Sequence, residues 1–370
     1  MSEKVLMKGN DAIAEAAIRA GCGAYFGYPI TPQNELIAYM AKHMPDKGRI
    51  FIQAESETAA INMVYGASSA GARAMTSSSS PGISLKQEGI SYAAGADIPM
   101  VVVNVVRGGP GLGSIAPAQS DYFQATRGGG HGDYRSIVLA PKSVQECADL
   151  TYLAFDLADK YRMPVIVLAD GMIGQMMEGV TLPPEKPLSC LPGRDWITGN
   201  MASRETGSGG RRTARHITSI HLVPEELEAK TRARFARYET VQASEVRFEE
   251  LGCAGADLTL VAYGTSARVC LGARMLAEKE GIKLGVFRPV TLWPFPREAL
   301  GKIALEGKPF LTVEMSLGQL VDDVKLAVFE AGGRASTAEG SATIHLLGHS
   351  GGVIPTEEEV FAEAKRILGK

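Results

Sequence analysis

The segment 99–106, with the sequence PMVVVNVV, constrains the fold more than any other part of this chain. It is a run of β-branched residues without polar alternation, which is typical of a strand buried on both faces of a parallel sheet. Segments with helical spacing of apolar residues lie on either side of it, at 84–96 and 143–161. Because parallel strands need long crossover connections, this order predicts an α/β fold with helices on both faces of a parallel sheet.

The same alternation divides the 370-residue chain into three parts. At roughly 150 residues per domain, two domains and a connector are expected. Strand-like and helical segments alternate over 1–180 and again over 251–370, which we predict to be a second, smaller α/β domain with its own parallel sheet. We interpret 181–250 as a connector, because it contains a cluster of prolines, a Gly-, Ser- and Arg-rich stretch at 206–216 and a charged helix at 224–241. The Gly-rich stretch is expected to be mobile, or ordered only against a partner.

The charged helix of the connector carries Arg232, Arg234 and Arg237. Two interpretations stay open from the residues alone. The arginines either cover a solvated helix face, which is the usual role of a run of charges, or they form a surface that meets an acidic partner.

Charge and cysteine content exclude several classes of protein. The formal net charge is −3, from 38 basic and 41 acidic residues, whereas nucleic-acid binding favours a basic surface. The cysteines are odd in number and have no repeated spacing, which argues against a disulfide framework. There is no Cys-x-x-Cys pair, so we predict no zinc or iron–sulfur site in this chain. We expect a cytoplasmic protein, since no signal peptide is visible, and no membrane span, since the most apolar stretch is far shorter than about 20 residues. The five cysteines are Cys22, Cys147, Cys190, Cys253 and Cys270.

Glycine is in excess, because 42 of 370 residues is about 11%, against a usual level of roughly 7%. Part of the excess lies in three loops. The first, 21–27, lacks the third glycine of a dinucleotide fingerprint and follows a helix, so we interpret it as a helix end. The second, TSSSSPG at 76–82, lies between a strand and a helix, where amides and hydroxyls can bind an anion or the edge of a cofactor. Serine is also a routine N-cap residue, so a structural role stays open.

The third loop, RGGPGLGS at 107–114, follows the most hydrophobic strand of the chain. In an open parallel sheet, ligands bind outside the carboxyl ends of the strands. Arg107 at such a strand end is a natural receptor for a carboxylate, because its guanidinium can bind both oxygens. The alternative is a surface arginine before a flexible loop.

Two further strand ends belong to the same predicted edge. In YPITP, at 28–32, two prolines restrict the backbone around Thr31, so that its hydroxyl has a defined place at the start of a helix that we predict over 31–43. In QAESETAA, at 53–60, Glu57 lies in the first turn of an apolar helix with Ser56 as its N-cap. A glutamate there either complements the helix dipole or acts in catalysis.

Histidines and serines do not predict a metal site or a hydrolase. The only H-x-x-x-H pair, His345 and His349, starts in a strand and is broken by Gly348, so the two rings need not share a helix face. One G-x-S-x-G match occurs at 348–352, but no histidine follows Ser350 to complete a triad in hydrolase order.

Together, the four strand ends resemble the α-type subunit of the 2-oxoacid:ferredoxin oxidoreductases. Two more segments resemble the multi-subunit branch that acts on 2-ketoisovalerate or 2-oxoglutarate. The likeness is strong over about 5–180 and looser over 257–370. The strand-end segments are YPITP (28–32), QAESETAA (53–60), TSSSSPG with ISLKQEG (76–89) and NVVRGGPG (104–111), and the branch segments are GGGHGDYR (128–135) and LADGMIGQMME (168–178).

The resemblance implies a thiamine diphosphate enzyme. Residues 1–180 would be the pyrimidine-binding domain and residues 251–370 a transketolase C-terminal-like domain. The family's catalytic glutamate corresponds to Glu57, not to its neighbour Glu55. A carboxyl group there bonds to the pyrimidine ring nitrogen and promotes the tautomer that removes the proton from the thiazolium ring. The substrate-binding residues would be Thr31 and Arg107, and the cofactor-binding residues Tyr28, Pro29, Glu57 and Ser80.

The resemblance also implies partner subunits. The chain lacks the family's diphosphate and Mg²⁺ motif and its cluster cysteines, so we expect it to be inactive alone. Thiamine diphosphate would be shared with a β-type diphosphate-binding subunit that carries Mg²⁺. A γ-type subunit and a ferredoxin-like subunit with [4Fe-4S] clusters would complete the complex, with ferredoxin as electron acceptor and coenzyme A as acyl acceptor. No nucleic acid or membrane is expected as a partner.

The substrate prediction depends on the residues near Arg107. Leu112, Ile115 and Ala116 follow it, and no second arginine occurs before Arg127. An aliphatic 2-oxoacid needs an apolar pocket, whereas 2-oxoglutarate needs a second cation, so 2-ketoisovalerate (3-methyl-2-oxobutanoate) and other branched-chain 2-oxoacids are favoured. The alternatives are 2-oxoglutarate, a non-redox transketolase-like enzyme and a non-catalytic scaffold.

Overall fold

Helices and strands alternate along most of the chain. The computed structural model describes residues 4–188, 191, 196, 216–332 and 343–370. The strands are β1 (Val5–Lys8), β2 (Ala24–Gly27), β3 (Ile50–Gln53), β4 (Ala74–Ser78), β5 (Met100–Val106), β6 (Ile137–Leu139), β7 (Pro164–Asp170), β8 (Met177–Val180), β9 (Phe248–Leu251), β10 (Leu258–Val261), β11 (Leu284–Pro289), β12 (Thr291–Trp293), β13 (Phe310–Glu314) and β14 (Ile344–Gly348). The helices are α1 (Gly9–Arg19), α2 (Asn34–Asp46), α3 (Glu57–Ser69), α4 (Ser80–Gly95), α5 (Tyr122–Arg127), α6 (Val144–Tyr161), α7 (Gly171–Gln175), α8 (Pro224–Ser244), α9 (Gly264–Lys279), α10 (Arg297–Ala304), α11 (Leu320–Glu330) and α12 (Glu357–Leu368).

Two mainly parallel sheets organise the described chain. The larger has the order β12-β6-β7-β5-β4-β2-β3, and only β12 runs antiparallel to its neighbour. The smaller has the order β14-β13-β10-β11-β9, with β9 antiparallel to β11. Strands β1 and β8 form a separate antiparallel pair. The predicted α/β class with two parallel-sheet units is confirmed.

Strand β5 lies at the centre of the larger sheet. It pairs with β4 on one side and β7 on the other, and all seven of its residues are buried. Full burial stabilises each valine side chain by roughly 1.5–3 kcal/mol relative to exposure, so the run of valines contributes substantially to the core. The carboxyl end of β5 therefore provides a rigid position for the residue that follows it, Arg107.

Two helix starts differ from the predicted ones because of proline. Helix α2 begins at Asn34 and not at Thr31, since the residue before a proline is disfavoured in helical conformation and Pro32 follows Thr31. Helix α4 begins at Ser80, four residues before the predicted start at 84, because Pro81 is tolerated in the first turn of a helix.

The C-terminal part contacts the N-terminal part through a strand pairing and through buried hydrogen bonds. Strand β12 extends that sheet through its pairing with β6. The buried side chain of Gln119 donates to the Tyr263 carbonyl (2.8 Å) and accepts from the Ser266 hydroxyl (2.9 Å) and the Met315 amide (2.9 Å). These contacts join the loop before α5 to the segments that follow β10 and β13.

Asp170 is a second buried connection between the two parts. Its carboxylate accepts from the Thr265 amide (2.9 Å) and hydroxyl (2.7 Å), and it caps α7 through the Met172 and Ile173 amides. Asp170→Asn turns an amide group toward the Thr265 N–H, which then has no acceptor. We expect a loss of about 1–3 kcal/mol in the free energy of unfolding, measured by urea denaturation of the chain.

Asp149→Asn is the matched control for this prediction. Asp149 is exposed, and within the described ranges its one side-chain hydrogen bond is accepted from Gln145 in the same helix. Its substitution is expected to change the stability by less than about 0.5 kcal/mol. Equal stabilities of the two variants would contradict the assigned role of Asp170.

Helix α8 packs against the N-terminal part through two of its arginines. Arg234 is buried, donates to the Gly95 carbonyl (2.9 Å) and pairs with Asp97 (3.2 Å), which also pairs with Arg237. Arg232 is exposed and pairs with Glu228 one turn earlier. The helix thus has a solvated face at Arg232, whereas the other two arginines meet an acidic residue of the same chain.

Parts of the sequence predictions fall on residues outside the described ranges. These are 206–215 of the Gly- and Arg-rich stretch and Cys190. Within the described ranges, no helix combines the length and the apolar character that crossing a bilayer requires.

Candidate active site

The carboxyl ends of four adjacent strands collect the predicted site residues at one edge of the larger sheet. Thr31 follows β2, Glu57 follows β3, Ser80 follows β4 and Arg107 follows β5. Arg107 donates to the Thr31 carbonyl (2.9 Å), and its amide donates to the Ser80 hydroxyl (3.1 Å). The structure therefore brings residues from distant segments into direct contact.

The guanidinium of Arg107 is buried without a carboxylate. The residue is 8% exposed, and two of its nitrogens donate to the carbonyls of Thr31 and Leu112 (3.0 Å). Its buried Nε atom has no hydrogen-bond partner, and within the described chain Arg107 forms no ion pair. Because a buried unpaired cation is unfavourable, this group is suited to bind an anion such as a carboxylate.

The loop before α2 accepts hydrogen bonds from two amide side chains, of which Asn10 is buried and Gln175 half-buried. The Pro32 carbonyl accepts from Asn10 (2.8 Å) and from Gln175 (2.9 Å). The Thr31 hydroxyl accepts from the Asn34 side chain (3.2 Å), and the peptide bond between Thr31 and Pro32 is cis. The position of Thr31 is thus defined by contacts on both sides of it.

A second buried chain of hydrogen bonds supports the start of this loop. The Ser77 hydroxyl lies 2.6 Å from the Tyr25 hydroxyl and donates to the Gln33 side chain (2.6 Å). Gln33 in turn donates to the Tyr28 carbonyl (3.2 Å). The Tyr28 backbone is therefore anchored, although its side chain, like that of Pro29, is exposed.

Glu57 lies in the first turn of α3 and is almost fully buried. The Ser56 side chain caps the helix by accepting from the Ala59 amide (3.2 Å), as predicted. Glu57 is 7% exposed, and in the described structure its carboxylate has no hydrogen-bond partner. A Cβ atom at Gly82 would lie 2.7 Å from Glu57 Oε1 and 2.1 Å from Ser78 Oγ, so glycine leaves the space that the carboxylate occupies.

Unpaired polar atoms in and just after β4 allow a test of fit for thiamine diphosphate. In the described structure the buried hydroxyls of Thr76, Ser78 and Ser79 have no hydrogen-bond partner, and Ser78 and Glu57 both border the space at Gly82. Such groups cost free energy unless a ligand bonds to them. A carboxylate and hydroxyls next to a glycine match the polar edge of an aminopyrimidine ring, so the residues present fit the pyrimidine half of the cofactor. In the described structure no cluster of three or more acidic, cysteine or histidine side chains is arranged to hold a metal ion, so no step is assigned to Mg²⁺ here.

Two predicted neighbours of the site have different surroundings. Glu55 is exposed, whereas Glu57 is buried. The Ser80 hydroxyl accepts from the Arg107 amide and lies 3.2 Å from the Arg107 carbonyl. Ser80 thereby fixes the backbone of Arg107, and its contact with a cofactor stays a prediction.

Sequence reasoning missed a buried polar cluster formed by Asn104, Asp121 and the Ser80 amide. Asn104, the one polar residue of β5, accepts from the Ser80 amide (3.2 Å) and donates to Asp121 (2.8 Å). Burial raises the pKa of Asp121. The asparagine within an apolar run is the signal that could have indicated this cluster.

Lys86 is the second missed residue. It is fully buried, and its ammonium group donates to the Glu57 carbonyl (3.2 Å). Lys86 lies on the same helical stripe as Ile83 and Ile90, and a lysine within an apolar stripe is the sequence signal that could have found it.

Comparison with known families decides the class of this site. The family model described as pyruvate flavodoxin/ferredoxin oxidoreductase, thiamine diphosphate-binding, matches residues 15–236. This chain belongs to the 2-oxoacid:ferredoxin oxidoreductase family. A second model of these oxidoreductases, pyruvate:ferredoxin oxidoreductase core domain II, matches residues 256–360.

Relatives within the oxidoreductase family cover nearly the whole chain. Ketoisovalerate oxidoreductase subunit VorB of Methanothermobacter marburgensis is 46% identical, over 99% of this chain and 98% of the relative. 2-Oxoglutarate synthase subunit KorA of the same organism is 36% identical, over the full length of both. A solved 2-oxoglutarate:ferredoxin oxidoreductase from Magnetococcus marinus, with 2-oxoglutarate, coenzyme A and succinyl-CoA bound, is 29% identical with a TM-score of 0.83, over 99% of this chain and 66% of that chain.

Membership in the oxidoreductase family confirms the resemblance read from the strand ends. The chain is a thiamine diphosphate-binding oxidoreductase subunit, and its relatives are subunits of multi-subunit enzymes. The roles of individual residues and the bounds of the domains stay predictions.

Proposed function

We propose that this chain is the α-type subunit of a 2-oxoacid:ferredoxin oxidoreductase that acts on 2-ketoisovalerate and other branched-chain 2-oxoacids. The reaction is an oxidative decarboxylation that releases CO₂, forms an acyl-coenzyme A thioester and passes two electrons to ferredoxin. The observation that carries the proposal is the buried guanidinium of Arg107, which has no carboxylate partner in the described structure and contacts Thr31.

Three side chains of this subunit would act on the substrate and the cofactor. Arg107 binds the substrate carboxylate through its free Nε and adjacent N–H groups. Thr31 presents its hydroxyl beside that carboxylate, and Glu57 holds or moves a proton at the pyrimidine ring nitrogen. When bound, thiamine diphosphate supplies the nucleophilic carbon and the electron sink for decarboxylation. Tyr28, Pro29 and Ser80 are proposed to line the cofactor.

The preference for an aliphatic substrate is supported by the surroundings of Arg107. Leu112 and Ile115, in the loop that follows it, are 82% and 67% exposed and are available to cover an apolar substrate or a partner surface. Arg127, the next arginine in the sequence, pairs with the buried Asp323 (3.1 Å). Its charge is therefore already balanced, which disfavours binding of a distal carboxylate there. The similarity to the ketoisovalerate oxidoreductase subunit supports the same substrate.

The remaining parts of the reaction are assigned to partner subunits. We propose a β-type subunit that holds the diphosphate group through Mg²⁺, a γ-type subunit, and a ferredoxin-like subunit with [4Fe-4S] clusters that accept the electrons singly. The described cysteines of this chain are separate, buried and free, so they supply no cluster ligand set. We further propose residues 1–180 as the pyrimidine-binding domain, 181–250 as the connector and 251–370 as the transketolase C-terminal-like domain. The second family match, 256–360, lies within the last of these, and the first, 15–236, extends over the first domain and most of the connector.

Substrate preference tests the proposal directly. The complex purified anaerobically through this chain is assayed with 2-ketoisovalerate, pyruvate and 2-oxoglutarate, together with coenzyme A and a dye acceptor. We expect kcat/KM for 2-ketoisovalerate to exceed that for 2-oxoglutarate by about tenfold or more, since an unpaired distal carboxylate costs at least ~1.4 kcal/mol. A preference for 2-oxoglutarate would reverse the substrate assignment, and a chain that binds no thiamine diphosphate with its partners would overturn the proposal.

A further inference from the structure

Lys86 is a fully buried cation for which the proposed reaction has no role. It lies on the face of α4 that packs against α3, and its side chain is 0% exposed. Its ammonium group has three donor hydrogens but a single hydrogen bond, to the Glu57 carbonyl at 3.2 Å. The bond ties α4 to the first turn of α3, where the Glu57 side chain is placed.

Among the described residues, Glu57 is the charged group that acts on Lys86. Helix α4 packs against α3, β5 and β7, and the titratable side chains on these elements are Glu57, Tyr65 and Asp170. Asp170 is bonded to Thr265 and to the start of α7, and burial raises the pKa of Tyr65, so that it stays neutral. Burial lowers the pKa of Lys86 to about 8, against the opposing effect of the Glu57 charge.

A buried lysine is an unfavourable choice for a helix contact. An apolar side chain of similar size would avoid the cost of taking the charge out of water. Strongly perturbed ionisable groups in this kind of setting cluster at functional sites. The charge lies next to the one residue to which the proposed function assigns proton transfer.

We propose that Lys86 is a positioning residue for Glu57. Its ammonium group holds the first turn of α3 against α4 and balances the charge of the buried Glu57 carboxylate. Glu57 is thereby kept in place beside an opposite charge. This inference rests on the proposed function of Glu57, and it assigns to Lys86 no contact with substrate or cofactor.

The proposal predicts opposite effects of pH on activity and on stability. As the pH rises through about 8, Lys86 loses its proton, so activity falls on the alkaline side. In the unfolded chain the lysine keeps its proton up to about 10.5, so the unfolded state binds more protons between these two values. The folded state therefore gains stability as the pH rises from about 8 to 10.5.

Lys86→Met in the complex tests the role, with Lys302→Met as a matched control at an exposed lysine. We expect Lys86→Met to lower kcat about 10- to 100-fold with little change in KM, because a displaced catalytic group costs rate more than binding. The alkaline limb near pH 8 should disappear. The unfolding midpoint of the full chain should no longer rise between pH 7 and 9.5, and Lys302→Met should match the wild type in each measurement.

Lys86→Arg keeps the charge to higher pH, so we expect it to retain more activity than Lys86→Met and to move the alkaline limb upward. This variant also gives the answer if Lys86→Met does not fold. Unchanged activity and pH profiles in the Lys86 variants would overturn the proposal, as would an alkaline limb that Lys86→Arg leaves in place.

A non-catalytic measurement separates this proposal from the proposed function. In Glu57→Gln, the charge that favours protonated Lys86 is absent, so the rise in unfolding midpoint should begin at lower pH. A rise that begins at the wild-type pH would overturn the Lys86 proposal whatever the substrate is. Inactivity of the wild-type complex toward every 2-oxoacid would instead contradict the proposed function.

Discussion

Glu57→Gln is expected to leave the chain folded and to lower kcat of the complex by about 10²- to 10⁴-fold, which is the usual contribution of general acid–base catalysis. Glutamine has nearly the same size as glutamate, and the carboxylate has no hydrogen-bond partner in the described structure that would be lost. Ser56 still caps α3. The amide cannot exchange a proton with a ring nitrogen, so turnover should be lost while the fold is kept.

The measurement is steady-state turnover of 2-ketoisovalerate by the anaerobic complex, with circular dichroism as the check on folding. Glu55→Gln is the matched control, because Glu55 lies two residues earlier and is exposed. We expect Glu55→Gln to keep activity within about twofold, because substitutions of exposed residues outside the core and the active site usually have small effects. Near-normal turnover of Glu57→Gln, or an equal loss in both variants, would show that Glu57 is not the catalytic carboxylate.

Arg107→Met is expected to reduce kcat/KM for the 2-oxoacid by about 30- to 1000-fold or more. Removing one partner of a buried, hydrogen-bonded charge pair costs roughly 2–5 kcal/mol, and each 1.4 kcal/mol corresponds to a factor of ten. The loss should appear mainly as a higher KM, because the substrate carboxylate is bound in the ground state as well as during the reaction. Arg107→Lys should recover part of the loss, since it keeps the charge but not the planar fork.

Arg107 also donates to the Thr31 and Leu112 carbonyls, so the experiment must separate binding from loop structure. The dissociation constant of thiamine diphosphate in the complex serves this purpose, because it should stay within a few-fold of the wild type. Arg232→Met, at an exposed arginine of α8, is the control for loss of charge. An unchanged KM in Arg107→Met would exclude Arg107 as the carboxylate receptor.

Most helices and strands could be predicted because their patterns are local. The valine run of β5 and the Ser56 cap of α3 need only neighbouring residues to be recognised. Strands β1, β8, β9 and β12 were missed, since each is three or four residues long and is stabilised by pairing with a segment far away in the chain. The start of α4 was misplaced because the serine run before Pro81 resembles a loop.

The candidate site could be predicted in outline from the strand ends. Parallel strands present their carboxyl ends at one edge, which places Thr31, Glu57 and Arg107 together without knowledge of the packing. The Asn104–Asp121 bond and the hydroxyl contact of Ser80 with Arg107 were not predictable. Each depends on the distance between side chains of separate segments.

The amino-acid sequence by itself determined most of the order of strands and helices, the edge at which the chemistry is placed and the family to which the chain belongs. Periodicity and short motifs carry this information, because they depend on residues that are close together along the chain. Only the tertiary structure decided the electrostatic state of the site. Glu57 and Lys86 are 29 positions apart, and their interaction exists because α3 packs against α4 and excludes water from both groups. The same exclusion of water leaves Arg107 as a buried cation without a carboxylate in the described structure.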